Sequence, residues 1–147
     1  MTIERIVLRA SADGTPVDVE RVHAVPGKGL EGDRYYLGTG TFSDGVPEGR
    51  DLTLVAAEAL EAAGVTAEES GRNVVVRGMP DLNGLVGERF SLGEVECYAD
   101  RLCEPCATLA ARTRPEVLRN LAHRGGIRAD LISEGEIAVG DVLVVGE

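Results

Sequence analysis

Short apolar runs separated by glycine-containing turns dominate this chain and restrict the folds it can adopt. Strands are predicted from apolar content and period-two alternation at 3–10, 16–25, 50–55 and 71–78, around Leu92-Gly93, and within 127–147. Nineteen glycines in 147 residues favour many tight turns over a bundle of long helices. Because strands and helices do not alternate regularly, the pattern predicts a mainly β fold, a closed or nearly closed β-barrel.

About three short helices are expected beside the barrel. An alanine-rich stretch at 56–64 ends at a glycine, and 104–113 carries Pro105 at a favoured first helical position. A third amphipathic stretch covers 114–126. The chain is long enough for one domain with a hydrophobic core and too short for two ordinary ones, so we expect a single domain over residues 1–147.

The charge of the chain argues against general nucleic-acid binding. Its formal net charge is −10, whereas binding to phosphate backbones requires a surplus of Lys and Arg. The single lysine is Lys28, so arginine supplies the other cations. The sequence contains no run typical of a signal peptide or a membrane span, and we expect a soluble, cytoplasmic protein. Three cysteines in a reducing compartment make a structural disulfide framework unexpected.

The stretch "RLCEPC" at 101–106 is the main candidate for chemistry. With Pro105 at the first helical position, Cys106 falls in the first turn, where unpaired backbone N–H groups and the helix dipole favour negative charge. A thiol in that position loses its proton more easily than a free one. Arg101 adds positive charge nearby. Cys106 is therefore a candidate thiolate for nucleophilic attack, persulfide formation or binding of a soft metal.

The cysteine pair leaves four interpretations open. In the first, Cys103 and Cys106 are small buried residues, and in the second they are two ligands of a zinc site completed by Cys97 and His123. In the third they form a dithiol redox pair, and in the fourth Cys106 is a reactive thiol with Cys103 as its neighbour. The zinc interpretation matches no common ligand spacing, and the redox interpretation lacks a βαβ setting. In the last interpretation, Cys103 could resolve an oxidised Cys106 as a disulfide.

Two further segments offer polar groups beside glycines. "GRNVVVRG" at 71–78 places Arg72 and Asn73 before an apolar strand, where they could grip a phosphate or serve as a surface arginine and a turn asparagine. The long glycine-rich loop at 26–50 contains "GLEGDR", whose acidic and basic residues could form a local ion-pair turn, and it also carries hydroxyl groups. The candidate ligand-binding residues of this loop are Glu31, Gly32, Asp33, Arg34 and Thr41.

Taken in order, several segments resemble the MOSC domain family, named for the C-terminal part of molybdenum cofactor sulfurases. They are "GLEGDR" at 29–34, "GRNVVVRG" at 71–78, "DLNGLVGERFSLGEVE" at 81–96, "RLCEPC" at 101–106 and "IAVGDVLVV" at 137–145. The resemblance implies a mostly β barrel. It also implies a cysteine that carries sulfur or binds molybdenum, here Cys106, and an Arg–Asn pair on the cofactor phosphate, here Arg72 and Asn73.

The resemblance thus implies metal–sulfur chemistry, either sulfur carriage as a Cys106 persulfide or binding of the molybdenum cofactor (molybdopterin). A cysteine desulfurase or an electron-donor protein would be the partner. Pyridoxal phosphate is not expected in this domain alone. Two alternatives stay open: a non-catalytic barrel that binds an anionic ligand or a partner, and a simple thiol redox protein that uses Cys103 and Cys106.

Overall fold

A computed structural model describes residues 1–9, 15–33, 51–78, 82–103 and 125–146 of the chain. Within them, strands predominate, as predicted. The strands are β1 Thr2–Leu8, β2 Val17–Val19, β3 Arg21–Val25, β4 Gly29–Leu30, β5 Leu52–Ala56, β6 Val74–Arg77, β7 Arg89–Leu92, β8 Val95–Leu102, β9 Ile127–Leu131, β10 Gly135–Ala138 and β11 Leu143–Val145.

Eight strands form one curled sheet in the order β11-β7-β8-β9-β5-β6-β1-β2. A separate three-stranded sheet has the order β10-β3-β4. All neighbouring strands are antiparallel except β5 and β6, which are parallel. The predicted strand at 16–25 is in fact two strands, because the chain bends at Glu20 and passes from the large sheet to the small one.

The predicted closed barrel is confirmed only in part, since β2 and β11 at the two edges of the large sheet do not pair with each other. The first half of β1 instead contacts the residues before β11. An isolated bridge joins Thr2 to Val142, and the Ile3 N–H donates to the Asp141 carbonyl at 2.9 Å. The sheet therefore curls far enough for its ends to touch without closing a continuous ladder.

Two helices connect the parallel strands. The predicted helix at 56–64 is confirmed as α1, Ala57–Ala63, which ends at Gly64 in the left-handed conformation. The second helix, α2 Ala67–Ser70, was not predicted from the sequence; it begins at a capping box formed by Thr66 and Glu69. The predicted helices at 104–113 and 114–126 lie outside the described residues, except for the two glycines 125–126, which lead into β9 without helical structure.

The hydrophobic core has two layers because the large sheet is buried on both faces near β5 and β6. The inner layer fills the concave side of the sheet and includes Ile6, Leu54 and Phe90. The outer layer lies between the sheet and the helices and includes Val55 and Leu60. The residues of β5 are all buried, which is typical of a central strand covered on two sides.

His23, on the central strand β3 of the small sheet, contacts two glutamates in β10 and just before it in a pH-dependent way. Its Nε2 lies 2.7 Å from Glu134 Oε2, and its Nδ1 lies 3.3 Å from Glu136 Oε2. The hydrogen bond with Glu134, and then that with Glu136, raises the pKa of His23. The contribution of the charged ring to stability is therefore fully present below the unfolded pKa and is lost as the pH rises through the folded pKa.

We expect His23→Gln to lower the free energy of unfolding most below about pH 6.5, the usual pKa of histidine, and least in alkaline solution. Urea unfolding of wild type and variant across this range measures the difference. A difference that stays constant with pH would show that the two glutamates do not stabilise the charged ring.

Candidate functional site

Arg72 lies two residues before β6 and connects three separate parts of the chain. Its side chain is buried, with the residue 8% exposed. Nε donates to the Gly125 carbonyl at 2.8 Å, Nη1 to the Ser70 carbonyl at 3.0 Å, and Nη2 to the Cys103 carbonyl at 2.9 Å. The rigid fork of a guanidinium can serve three acceptors at once, which an ammonium cannot do in the same plane.

The residues on either side of segment 104–124 are held against each other. The Cys103 N–H donates to the Gly126 carbonyl at 2.8 Å, in addition to the bonds that Arg72 makes to Cys103 and Gly125. Gly126 has φ +100°, and a Cβ atom placed there would lie 1.9 Å from the Leu54 carbonyl oxygen. Only glycine allows this approach to β5, so the geometry at Cys103 depends on Gly126.

Asn73 is fully buried and joins three strands through its side chain. Its Oδ1 accepts from the Thr53 N–H at 3.1 Å and from the Thr53 hydroxyl at 3.3 Å. Its Nδ2 donates to the Val7 carbonyl at 3.2 Å. The amide therefore acts within the protein, between β5, β6 and β1, and its exposed fraction is 0%.

The "GLEGDR" turn is anchored to the end of β1. Asp33 is fully buried, and its Oδ1 accepts from the Arg9 N–H at 3.0 Å. Gly32 has φ +93°, which makes the turn possible, while Glu31 is exposed. The buried carboxylate thus holds the chain that follows β4 against the chain that follows β1.

Two buried arginines share the C-terminal end of α2. Arg9 Nη2 donates to the Glu68 carbonyl at 2.7 Å, and Arg72 Nη1 donates to the Ser70 carbonyl. The last carbonyls of a helix lack intrahelical partners and carry partial negative charge, so cationic donors are favourable there. The Asp33–Arg9 contact and the Arg72–Cys103 contact are therefore connected through one short helix.

The cysteines within the described part of the chain are both buried. Burial, followed by the nearby carboxylates of Asp51 and Glu96, raises the pKa of Cys97 to about 12, so that this thiol stays protonated at neutral pH. No group of three or more His, Cys, Asp or Glu side chains within the described ranges could hold a metal ion. For the zinc interpretation, Cys97 lies in the apolar core, and His123 lies outside the described residues.

The structure brings Arg72 and Cys103 into contact, but it leaves part of the predicted site outside the described residues. Arg101 is half-buried at the end of β8, where its Nη1 lies 2.7 Å from Asp100 Oδ2. Cys106, Arg34 and Thr41 lie outside the described residues. Their predicted roles, including metal binding by Cys106, therefore stay predictions.

Sequence reasoning missed several buried polar residues of this region. Arg9 falls within the first predicted strand, where nothing marks it as a buried cation. Asp51 accepts from the Gly27 N–H at 3.1 Å and from the Leu131 N–H at 2.9 Å, and thereby fixes the start of β5. A usable signal existed for Thr53, because a lone hydroxyl in the otherwise apolar run "LTLVA" requires a hydrogen-bond partner when buried.

Comparisons with known proteins agree with this architecture. Residues 50–144, more than half of the chain, match the sequence model of the MOSC domain. No curated protein matches the chain significantly. Across the described residues, no helix is both long and apolar enough to cross a membrane.

Three solved structures from named bacteria have a similar fold. The YuaD protein from Bacillus subtilis superposes with a TM-score of 0.79 at 20% identity, covering 99% of this chain and 96% of that one. YiiM from Geobacillus stearothermophilus gives a TM-score of 0.71 at 20% identity, covering 99% and 75%. YiiM from Escherichia coli gives 0.71 at 19%, covering 100% and 70%. These likenesses concern the fold, whereas the sequence match assigns the family: the chain belongs to the MOSC domain family.

Proposed function

We propose that this protein carries sulfur on Cys106, accepting it as a persulfide and passing it to an acceptor. Membership of a family commonly linked to molybdenum cofactor sulfurase-like functions supports the proposal. The observation that carries it is the bond from Arg72 Nη2 to the Cys103 carbonyl, 2.9 Å long. It fixes the start of "CEPC" against a buried polar cluster.

Chain length alone limits how far the reactive thiol lies from this anchor. Cys106 follows Cys103 by three residues, so their Cα atoms are at most about 11 Å apart. The guanidinium of Arg72 contacts the carbonyl of Cys103 directly. A fixed cation at the start of this segment, together with the predicted helix start at Pro105, favours the thiolate form of Cys106.

The transfer step requires only a thiolate and a persulfide donor. The Cys106 thiolate attacks the outer sulfur of a donor persulfide, R–S–SH. The new S–S bond forms at Cys106 as the donor's S–S bond breaks, and the donor leaves as the thiolate R–S⁻. No net oxidation occurs, because the sulfane sulfur moves between two thiols of equal oxidation state. A cysteine desulfurase, which carries such a persulfide, is the proposed donor.

The alternative within the family is binding of the molybdenum cofactor, with Cys106 as a soft sulfur ligand. The predicted phosphate contacts of Arg72 and Asn73 find no support in the described geometry. Asn73 is fully buried and its amide bonds to Thr53 and Val7, while three N–H groups of Arg72 bond to carbonyls. Because the Asn73 amide and these three N–H groups are engaged within the protein, we derive no step through the cofactor.

The test is sulfur loading with a cysteine desulfurase and free cysteine, followed by intact-mass and peptide mass spectrometry. Wild type is expected to gain one sulfur atom, located on Cys106, and Cys106→Ser is expected to gain none, because the hydroxyl cannot replace the thiolate as nucleophile. Cys103→Ser serves as the matched control, since it removes a neighbouring thiol and leaves Cys106 in place. Absence of sulfur on wild-type Cys106 contradicts the proposal.

The same preparations distinguish the other interpretations. Bound molybdenum and pterin, measured after expression in a host that makes the cofactor and lost in Cys106→Ser, would favour cofactor binding through the thiol. A reversible Cys103–Cys106 disulfide with no sulfur loading would favour the thiol redox protein. Binding of a partner or an anion that survives Cys106→Ser unchanged would favour the non-catalytic binding module.

A further inference from the structure

We propose that Arg72 is a positioning residue that fixes Cys103, and through it the connection to Cys106, rather than a ligand for an anion. The inference deepens the proposed function and rests on it where sulfur transfer is concerned. Its geometric part concerns only described residues: the three carbonyls of Ser70, Cys103 and Gly125 that accept from one guanidinium.

The burial of Arg72 supports this role. A guanidinium removed from water must have its donors satisfied, because an unmet buried donor costs more than a hydrogen bond returns. Here carbonyl oxygens supply the acceptors at 2.8 to 3.0 Å, and the residue is 8% exposed. An arriving anion would have to compete with these three charge-assisted bonds for the guanidinium, whereas a positioning role uses them as they stand.

The position of Arg72 along the chain explains what it fixes. Cys103 immediately follows β8, and Gly125 precedes β9, so both lie where paired strands end. Backbone pairing alone gives Cys103 one bond, from its N–H to the Gly126 carbonyl. Arg72 adds the second, on the carbonyl side, so that the peptide group on each side of Cys103 is held.

Arg9 contributes to the same anchor by a different contact. Its Nη2 holds the Glu68 carbonyl, two residues before the Ser70 carbonyl that Arg72 holds. Both bonds restrain the end of α2, a helix of four residues whose own hydrogen bonding is slight. We therefore infer that loosening α2 at Arg9 weakens the Arg72 anchor as well, by a smaller amount.

The test replaces Arg72 by Lys, which keeps the charge but cannot reach three carbonyls in one plane. Alkylation of Cys103 by iodoacetamide, followed by peptide mass spectrometry, is expected to be at least about tenfold faster than in wild type, because charge-assisted bonds that keep the thiol buried are lost. Arg77→Lys is the matched control. Arg77 also bonds to two partners, Glu4 and Glu61, but on the exposed surface.

The kinetics of sulfur transfer provide a second measurement, which distinguishes a positioning role from general destabilisation of the protein. Arg72→Lys is expected to lower the loading rate constant at saturating desulfurase. The KM for the desulfurase is expected to stay near the wild-type value, since a residue that is 8% exposed offers little surface to a partner. Arg77→Lys is expected to change neither. If wild type takes up no sulfur, the proposed function fails, while the Cys103 alkylation result still decides the positioning role.

Inorganic phosphate separates positioning from anion binding. If Arg72 is a positioning residue, phosphate shifts the melting temperature of wild type and Arg72→Lys equally. The inference is overturned if phosphate raises the melting temperature of wild type but not of Arg72→Lys. It is also overturned if Cys103 is alkylated no faster in Arg72→Lys than in Arg77→Lys. Should Arg72→Lys fail to fold, Arg9→Lys replaces it, with an expected rise of about threefold in the rate of Cys103 alkylation. A wild-type alkylation rate in Arg9→Lys also overturns the inference.

Discussion

Gly126→Ala is expected to lower the free energy of unfolding by about 3 kcal/mol or more. The left-handed φ of +100° is unfavourable for alanine, and the added Cβ would lie 1.9 Å from the Leu54 carbonyl oxygen, so the backbone of β5 or β9 must shift. Urea unfolding followed by circular dichroism measures the loss as a lower midpoint. The Cys103–Gly126 bond should weaken with it, which predicts faster Cys103 alkylation.

Gly140→Ala is the control that separates backbone strain from the close contact. Gly140 has a similar φ of +95°, but a Cβ added there has no heavy atom within 4 Å. Gly140→Ala should lower the free energy of unfolding only by the cost of the left-handed conformation, about 1–2 kcal/mol. Equal losses in the two variants would show that the approach of Gly126 to Leu54 adds nothing, and that other residues fix the start of β9.

Apolar content and alternation predicted the strands well because burial selects apolar side chains directly. In β6, the buried valines after Asn73 were enough to identify a strand. The division of 16–25 into β2 and β3 left a signal that was not used, because the apolar alternation shifts by one residue at the polar pair Glu20-Arg21, where the chain changes its sheet partner. The capping box at Thr66 and Glu69 did carry a signal for α2, although the helix itself is short.

The candidate site was predictable in composition but not in bonding. The sequence indicated that Arg72 and the "CEPC" segment belong to one site, and the contact between Arg72 and Cys103 brings them together. The sequence could not show that the acceptors of Arg72 are backbone carbonyls, because every residue carries a carbonyl and the sequence does not indicate which ones accept a hydrogen bond from a side chain. For the same reason Arg9, which bonds to the Glu68 carbonyl, left no signal.

Asn73→Asp is the second change with a large expected effect, and it distinguishes the two roles considered for Asn73. The new carboxylate keeps the shape of the amide but removes the Nδ2 donor to the Val7 carbonyl. It also places a charge at a position that is 0% exposed. At neutral pH the loss is expected to be about 3 kcal/mol, because the charge would be buried and its second oxygen would face the Val7 carbonyl oxygen, which cannot donate.

The pH dependence gives this prediction its sign. Burial should raise the folded pKa of the carboxyl introduced by Asn73→Asp above its unfolded value of about 3.9. Below the unfolded value, the protonated carboxyl can donate to the Val7 carbonyl as the amide does, and the variant should approach wild type. As the pH rises through the folded pKa, that contribution is lost and the deficit grows to its full size.

Urea unfolding of Asn73→Asp and wild type at matched pH values measures this growth. Asn83→Asp is the control, since it makes the same chemical change at a half-buried residue of the 3-10 turn Asn83–Leu85. If Asn73 served mainly to bind a phosphate, the variant would keep the stability of wild type at every pH and lose only anion binding. A loss of unfolding free energy that increases with pH in Asn73→Asp and not in Asn83→Asp would instead show that the amide holds β1 and β5 to the start of β6. Asn73 directly follows Arg72, which fixes Cys103, so the same contacts support the geometry of the candidate site.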